Sequence, residues 1–453
     1  MAEKSNKLWF KEKCDSFLED IRHVEEEPRL AFWNGDFWRW DGNVWRKESP
    51  ADIQDAVHLW AMNKEVTSDP DVTRKITACV RASVHVHDSR QMPFWNPPAG
   101  PDFGGWWLHT KTYTLSAERV TQGKPTHECR IPKTSRWFSN VALSYDWDPA
   151  ATCPTILKFL ESRVGGDKEM LSVLQEFGGL LLEPEAKYHT ALFLIGRAGS
   201  GKSTVGDLYA MLLGEENVGR LQMDDFGGDF ELGETQGKLL NLVDEGYSVS
   251  SKTEAILKWY ISGKPMHARR KYKSALQSMK PTARLVVCAN KWPQFKDETD
   301  GIWRRILYVP MSNVVAFEDR DVDILNKFKA EIPGFLNWCL AGLERLRRNG
   351  RFTRPVASEQ GLSRMKGLLQ SHREFAQEML VADPKGFISS KQLDNTYHSW
   401  CKQQGLDEIR DKQAVREAIF LAYPGSKDDR EEDKTGARLR GVRGVRFKYT
   451  LET

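Results

Sequence analysis

Along the chain, apolar and polar positions alternate in two different rhythms. Four short runs are apolar but for one residue, Asn241: Ala191–Ile195, Leu239–Val243, Leu285–Ala289 and Ile306–Val309. Such runs predict strands buried on both faces. Between them the spacing becomes helical. Val205, Leu208, Met211 and Leu212 repeat at three and four residues after the first run, which predicts a helix. Strands alternating with helices over about 188 to 350 predict a parallel α/β sheet.

The flanks have other patterns. Phe32-Trp33, Phe37-Trp38, Trp40 and Val44-Trp45 surround turn signals at Asn34-Gly35 and Asp41-Gly42, which predicts a small β-meander. Ile53, Ala56, Val57, Trp60 and Ala61 predict a helix over Asp52 to Asn63, and Pro93 to Gly105 reads as loop. Residues 151–187 read as helical, with apolar patches at Ile156, Leu157, Phe159, Leu160, Val164 and at Met170, Leu171, Leu174, Phe177. The last segment, 371–453, reads as a helix carrying Phe375, Met379 and Leu380, then helices at Ser390–Gln403 and Lys412–Leu421. The charged run Lys427–Lys434 reads as a solvated loop, and Arg438–Thr450 mixes basic and apolar residues. Four regions follow: 1–150, 151–187, 188–350 and 371–453.

Composition narrows the class. The 453 residues are 40% hydrophobic and 28% charged with a net charge of +3, ordinary for a globular chain of about three domains. No run of about eighteen apolar residues predicts a membrane span, and the N-terminus has no apolar signal core. A cytoplasmic protein, in a bacterial host, is expected. The seven cysteines are widely spaced and predict neither a zinc site nor a disulfide framework. The sixteen tryptophans read first as core material and second as surfaces on which bases could stack.

The sharpest chemical signal follows the first strand. Gly196-Arg197-Ala198-Gly199-Ser200-Gly201-Lys202-Ser203-Thr204 fits G-x-x-x-x-G-K-[ST], the P-loop that cradles nucleotide phosphates. Gly196, Gly199 and Gly201 let backbone N–H groups face phosphate oxygens. Lys202 supplies charge, and Ser203, with Thr204 beside it, a hydroxyl for Mg²⁺. The second strand delivers Asp244 and Glu245 beside that loop: Asp244 for the metal, Glu245 to orient or deprotonate water. Asn290 ends the third strand, where an amide could position water or start a turn. Arg304 and Arg305 enter the fourth strand. Such arginines are often merely solvated or carboxylate-paired. In a ring, one could reach a neighbour's γ-phosphate. Ser262 to Arg284 holds Lys264, Arg269, Arg270, Lys271 and Lys273 with His267 and Tyr272 interleaved and no acid, a composition suited to tracking nucleic-acid phosphates.

Taken together, GRAGSGKST (196–204), LLNLVDEG (239–246), SGKPMHARRKYK (262–273), RLVVCANKWPQF (284–295) and DGIWRRILYVPM (300–311) resemble, in order, the superfamily 3 helicases, a branch of the AAA+ ATPases. The nearest group is the phage and plasmid primase-helicases. Tyr145-Asp146-Trp147-Asp148-Pro149, Cys153-Pro154 and Gly178-Gly179 resemble the domain before that core. The departures are Lys264, where Asp is frequent, and Met311, where Phe is usual. The resemblance implies an AAA+ P-loop core with a parallel sheet, a mixed, largely helical N-terminal domain and a C-terminal winged helix. It implies ATP and Mg²⁺ as cofactors, Asn290 as sensor, and Arg304 or else Arg305 as arginine finger. It also implies Lys271, with His267, on a DNA-gripping hairpin.

The expected function is that of a stand-alone, ring-forming replicative DNA helicase of a mobile element. Its expected partners are single-stranded and forked DNA, further copies of itself in a hexamer, and a separate primase or polymerase. Arg438, Arg440, Arg443 and Arg446 are candidate phosphate contacts on the wing. A DNA translocase or loader that does not unwind shares every catalytic residue. A non-catalytic initiator module would show no DNA-stimulated hydrolysis.

Overall fold

The computed structural model describes residues 2–21, 27–87, 92–96, 105–183, 187–228, 231–244, 249–268, 277–293, 295, 300–404, 412–432 and 436–449. The N-terminal region opens with α1 (Ala2–Ile21), β1 (Leu30–Trp33), β2 (Asp36–Trp40), β3 (Trp45–Glu48), α2 (Pro50–Asn63) and α3 (Pro70–Ser83). It continues with β4 (Phe94–Trp95), β5 (Trp107–His109), β6 (Tyr113–Ser116), α4 (Ala117–Thr121), α5 (Thr126–Cys129), β7 (Arg130–Pro132) and β8 (Trp137–Phe138). Asn34 and Gly35 both have positive φ, 51° and 80°, the twist that a two-residue hairpin needs. β1, β2 and β3 form the antiparallel meander expected from that turn. Ser49 caps α2 with a reciprocal capping box, and Pro50 starts it. Trp33, Trp38, Trp40 and Trp45 are buried, so these indoles serve the core. Phe94 and Trp95, expected in loop, instead pair with Phe138 and Trp137. Burying two adjacent aromatics beside a matching pair overrides the surrounding Pro/Gly signal.

Two helices follow, α6 (Pro154–Arg163) and α7 (Lys168–Leu180). Then come β9 (Ala191–Ile195), α8 (Lys202–Leu213), β10 (Val218–Gly219), β11 (Leu240–Asp244), α9 (Ser251–Ile261), the hairpin arms β12 (Met266–Ala268) and β13 (Gln277–Met279), β14 (Arg284–Ala289) and β15 (Ile306–Pro310). Five strands form one sheet in the order β10-β11-β14-β9-β15, parallel throughout. β9 and β14 are wholly buried, as continuous apolar runs require. Their side chains feed two cores, one on each face of the sheet.

The remaining elements are α10 (Ile324–Asn349), α11 (Val356–Met379), β16 (Leu380–Ser389), α12 (Ser390–Gln403), α13 (Lys412–Ala422), β17 (Lys427–Glu432) and β18 (Arg438–Phe447). α11 spans residue 371, where the sequence pattern restarts. Leu380, expected on that helix, begins β16 instead. The charged run is not a loop over its first six residues: Lys427–Glu432 is an edge strand paired with β18. Its carboxylates meet arginines across the ladder, and charge on an edge strand discourages further pairing.

Candidate functional site

The chain turns sharply where β9 ends. Gly196 donates to Ala289 O, and Met311 donates to Ile195 O at 2.8 Å, so three parallel strands converge on this point. A Cβ on Gly196 would stand 1.9 Å from Met311 O, which leaves room only for glycine. Gly201 has φ +87° and occupies the N-cap of α8 without any side-chain cap. The first-turn N–H groups of α8 therefore point outward with no capping oxygen, and the helix end favours an anion there.

Lys202 opens α8 and is only 7% exposed. Its ammonium donates to Gly196 O and Arg197 O at 2.8 Å and to Asn290 Oδ1 at 3.0 Å. Ser203 and Thr204 follow at the rim. Asp244 closes β11, and its register partner is Cys288 on β14. β14 thus lies between the strand leading to the loop and the strand carrying the acid, and Asn290 leaves its tip between them. Asp244 is half exposed, with Arg220 Nη1 at 4.0 Å. The Cys288 thiol is pushed up by burial and donates to Lys202 O at 3.4 Å, which supports the helix start.

These groups line one cavity of about 760 Å³ at the carboxyl ends of the strands, where ligands of open parallel sheets bind. The cavity also contains residues that the sequence reading missed. Arg163, in the last turn of α6, lies against Gly201, and Arg320 lies against Gly199. Burial pulls the Arg163 guanidinium down from its ordinary value. Phe159, Val315 and Ile324 supply an apolar wall, with the exposed Val322 at its rim. Outside the cavity's lining, Asp207, one helical turn beyond Ser203, has its carboxyl raised by burial, with Arg220 opposing and Asp244 and Glu215 adding to the rise.

Arg304 and Arg305 lie elsewhere. They form a single 3-10 turn before β15, whose first residue, Ile306, pairs with Ala191 at the start of β9. The strand's length, about 17 Å for five residues, separates them from the glycine-rich loop 196–204 of the same chain. Arg305 donates to Ser262 Oγ at 3.0 Å and to Gly301 O, while Arg304 is exposed. The His189 imidazole is lowered by burial and then by Arg305, Arg284, Lys264 and Arg304, so positive charge gathers at this end of the sheet. Glu245, Arg269, Arg270, Lys271 and Lys273 lie outside the described residues, as does the side chain of His267.

The β18 arginines are engaged. Arg443 bonds Asp429 and Glu431 at 2.6 and 2.5 Å. Arg438 meets Glu432 at 3.4 Å, Arg440 meets Asp428 at 3.8 Å, and Arg446 meets Asp383 at 3.5 Å. Among the described residues no cluster of His, Cys, Asp and Glu could by itself hold a metal. Nor is any helix among them long and apolar enough to cross a membrane.

Residues 194–305 match the model of a family of unknown function, DUF5906. Among solved structures, the A form apo structure of the NrS-1 C-terminal region aligns over 92% of this chain and 95% of that one, at 12% identity and a TM-score of 0.49. Another A form apo structure of that region, covering its residues 305–718, aligns over 95% and 98%, at 11% identity and a TM-score of 0.44. A further apo structure of residues 305–718 aligns over 91% and 96%, at 12% identity and a TM-score of 0.44.

Proposed function

We propose that this chain is an ATP-hydrolysing motor on DNA, with an AAA+ P-loop core of the superfamily 3 type and a C-terminal winged helix, serving replication of a mobile element as a helicase. The observation that carries this reading is the convergence of Lys202, Ser203, Asp244 and Asn290 in one cavity of about 760 Å³ at the strand ends. That volume lies in the range of small-ligand and nucleotide pockets. Its donors are outward N–H groups, an ammonium and two guanidinium groups, and its wall at Phe159 and Ile324 is apolar. This set fits a nucleoside triphosphate, with phosphates on the loop and the base toward the wall.

The roles follow from position. Lys202 and the first turn of α8 hold the outer phosphates. Asn290, bonded to the Lys202 ammonium, positions water between the loop and Asp244. Ser203 and Asp244 would hold Mg²⁺, with phosphate oxygens and waters completing its shell, as is usual for this cation. When bound, the metal would neutralise charge on the β- and γ-oxygens. Glu245 follows Asp244 directly and is the proposed base. Arg163 and Arg320 clamp phosphate from the same chain. Arg304, a strand's length away, reaches a phosphate only by entering the pocket of another copy, which supports an assembly with sites between subunits.

ATP hydrolysis measured with and without single-stranded DNA tests the reading. The native chain should be strongly stimulated, and Glu245→Gln and Asp244→Asn should lose that stimulation. A forked duplex then distinguishes unwinding from translocation alone. Hydrolysis indifferent to DNA and to both substitutions would overturn the motor assignment.

A further inference from the structure

A second cavity, of about 600 Å³, opens at the amino ends of the strands, where the N-terminal meander meets the core. One wall carries Lys238, two residues before β11, and Lys280, which directly follows the hairpin arm β13. The facing wall is the outer edge of the tryptophan core, at Trp33, Trp38 and Trp45. The two walls touch. A Cβ on Gly237 would stand 2.4 Å from Asn140 Nδ2, and the buried Asn217 amide donates to Ala142 O at 3.0 Å. The spacing of the walls is therefore built into the fold, and a preformed cavity of this size suits a small ligand.

The charges on these walls are unequally satisfied. Arg46 and Lys47, on the meander side, already face Asp41 and Asp36 at 2.5 Å. Lys238 and Lys280 form no ion pair among the described residues. The half-buried Lys238 ammonium donates to Glu216 O, and burial pulls it down while Glu216 opposes. Thr282 Oγ1 donates to Lys238 O at 2.7 Å, which ties the two lysine-bearing segments together. An ammonium drawn partly out of water without a counter-ion favours an anion beside it. Glu216 and Glu234 also line the cavity, so a bare anion does not suit the whole space. Carboxylates accept N–H groups. Trp33 and Trp38 are 4% and 9% exposed and offer ring edges, which favour the face of another aromatic ring. The fitting occupant is anionic at one end, flat and aromatic in the middle, and carries N–H donors on the ring edge.

We propose that this cavity binds one nucleoside 5′-phosphate unit. Its phosphate lies on Lys238 and Lys280, its base between the indole edges and the turn at 233–237, and Glu216 or Glu234 accepts from the base edge. Every base has a π-face, and each of the four carries an N–H on its pairing edge. The unit is a free nucleotide or one unstacked residue of a strand, since the chemistry is shared. The site is separate from the cavity that holds Lys202 and does not rest on the motor reading.

Isothermal titration calorimetry with thymidine 5′-monophosphate and with a dT oligonucleotide tests it, on the full native chain and on Lys202→Ala. Lys280→Glu should weaken binding roughly 10-fold or more, as loss of a hydrogen bond between charged groups does. Glu234→Trp separates a cavity from a basic surface. It removes a negative charge, so a surface that merely attracts phosphate would bind more tightly, whereas a plugged cavity binds at least about 10-fold more weakly. Lys280 and Glu234 are exposed, so neither substitution disturbs the core. Monophosphate binding kept in Lys202→Ala and weakened in both other variants supports a free nucleotide. Oligonucleotide binding alone, with the same dependence, supports a residue of a strand. Binding of neither ligand, or binding unchanged or tightened in Glu234→Trp, would overturn the proposal. Binding lost only in Lys202→Ala would also overturn it, by assigning the nucleotide to the first cavity. A native chain that fails to hydrolyse ATP would remove the motor reading and leave this site standing.

Discussion

At Lys202, two distant parts of the chain meet in one ammonium group. The loop carbonyls of Gly196 and Arg197 and the amide of Asn290 all accept from it. Replacing it with methionine should lower kcat/KM for ATP by roughly 100-fold or more, the scale of losing a key charge-stabilising donor. Arg320→Ala should act chiefly on KM, because a clamp on bound phosphate contributes to ground state and transition state alike. Gly196→Ala should lower the thermal midpoint and abolish nucleotide binding together, since its Cβ would stand 1.9 Å from Met311 O. Lys202 and Ser203 were legible because their motif is local, and Asp244 because it ends an apolar strand. Arg163 and Arg320 were not: one ends an ordinary amphipathic helix and the other sits in an acidic run. Only tertiary folding brings them to the loop.

His109 carries a second prediction at this scale. It is buried, and burial lowers its pKa from 6.5 to about 3. Nε2–H donates to Trp137 O, and Nδ1 accepts from Thr114 Oγ1, so the neutral ring is the one that fits. Between those values the unfolded chain binds a proton that the folded chain refuses. The neutral ring's stability is fully present above pH 6.5 and is lost as pH falls towards 3, with a limiting slope of about 1.4 kcal/mol per pH unit. His109→Gln should flatten that part of the stability profile, as measured by denaturant unfolding at several pH values.

Between elements, glycine sets the closest approach. α7 and α10 pack so tightly that a Cβ on Gly342 would lie 2.3 Å from Gln175 O. Gly342→Ala should therefore cost about 1–3 kcal/mol, the usual penalty of overpacking, visible as a lowered melting temperature. Nearby, Glu176 is fully buried against Arg345 at 2.7 Å and also accepts from Thr353. The four long strands were readable because a strand buried on both faces is nearly all apolar; Asn241, the one polar residue inside these runs, is buried and bonded to the Leu221 backbone. α10 was harder to read because Pro333 lies inside it and resembles a stop signal. β17 has no apolar residue at all, so only its partner β18 makes it a strand. α3 was passed over in the sequence, although the Asp69 side chain caps its start at Pro70.

For the molecule as a whole, the parallel sheet separates two chemistries. The groups that converge on the cavity, Lys202, Ser203, Asp244 and Asn290, lie at the carboxyl ends of its strands, and Lys264, Arg284, Arg304 and Arg305 gather at the amino ends. Affinity for single-stranded DNA should fall linearly on a log–log plot against salt, and Lys264→Ala should reduce that slope by about 0.7 if it contacts one phosphate. Chelating divalent cations should stop hydrolysis and leave the melting temperature of the nucleotide-free chain unchanged, since among the described residues no cluster holds a metal alone.

α11 connects these scales mechanically. Its Gly361 rests on Tyr308 of β15, a strand that pairs with β9, and its Phe375 and Met379 are buried in the C-terminal core. A helix of 24 residues is a rod about 36 Å long. A tilt of only about 10° at the sheet would swing its far end by about 6 Å. The C-terminal region is thus mounted like a pointer on a dial: a slight shift of the sheet would become a stroke at the periphery.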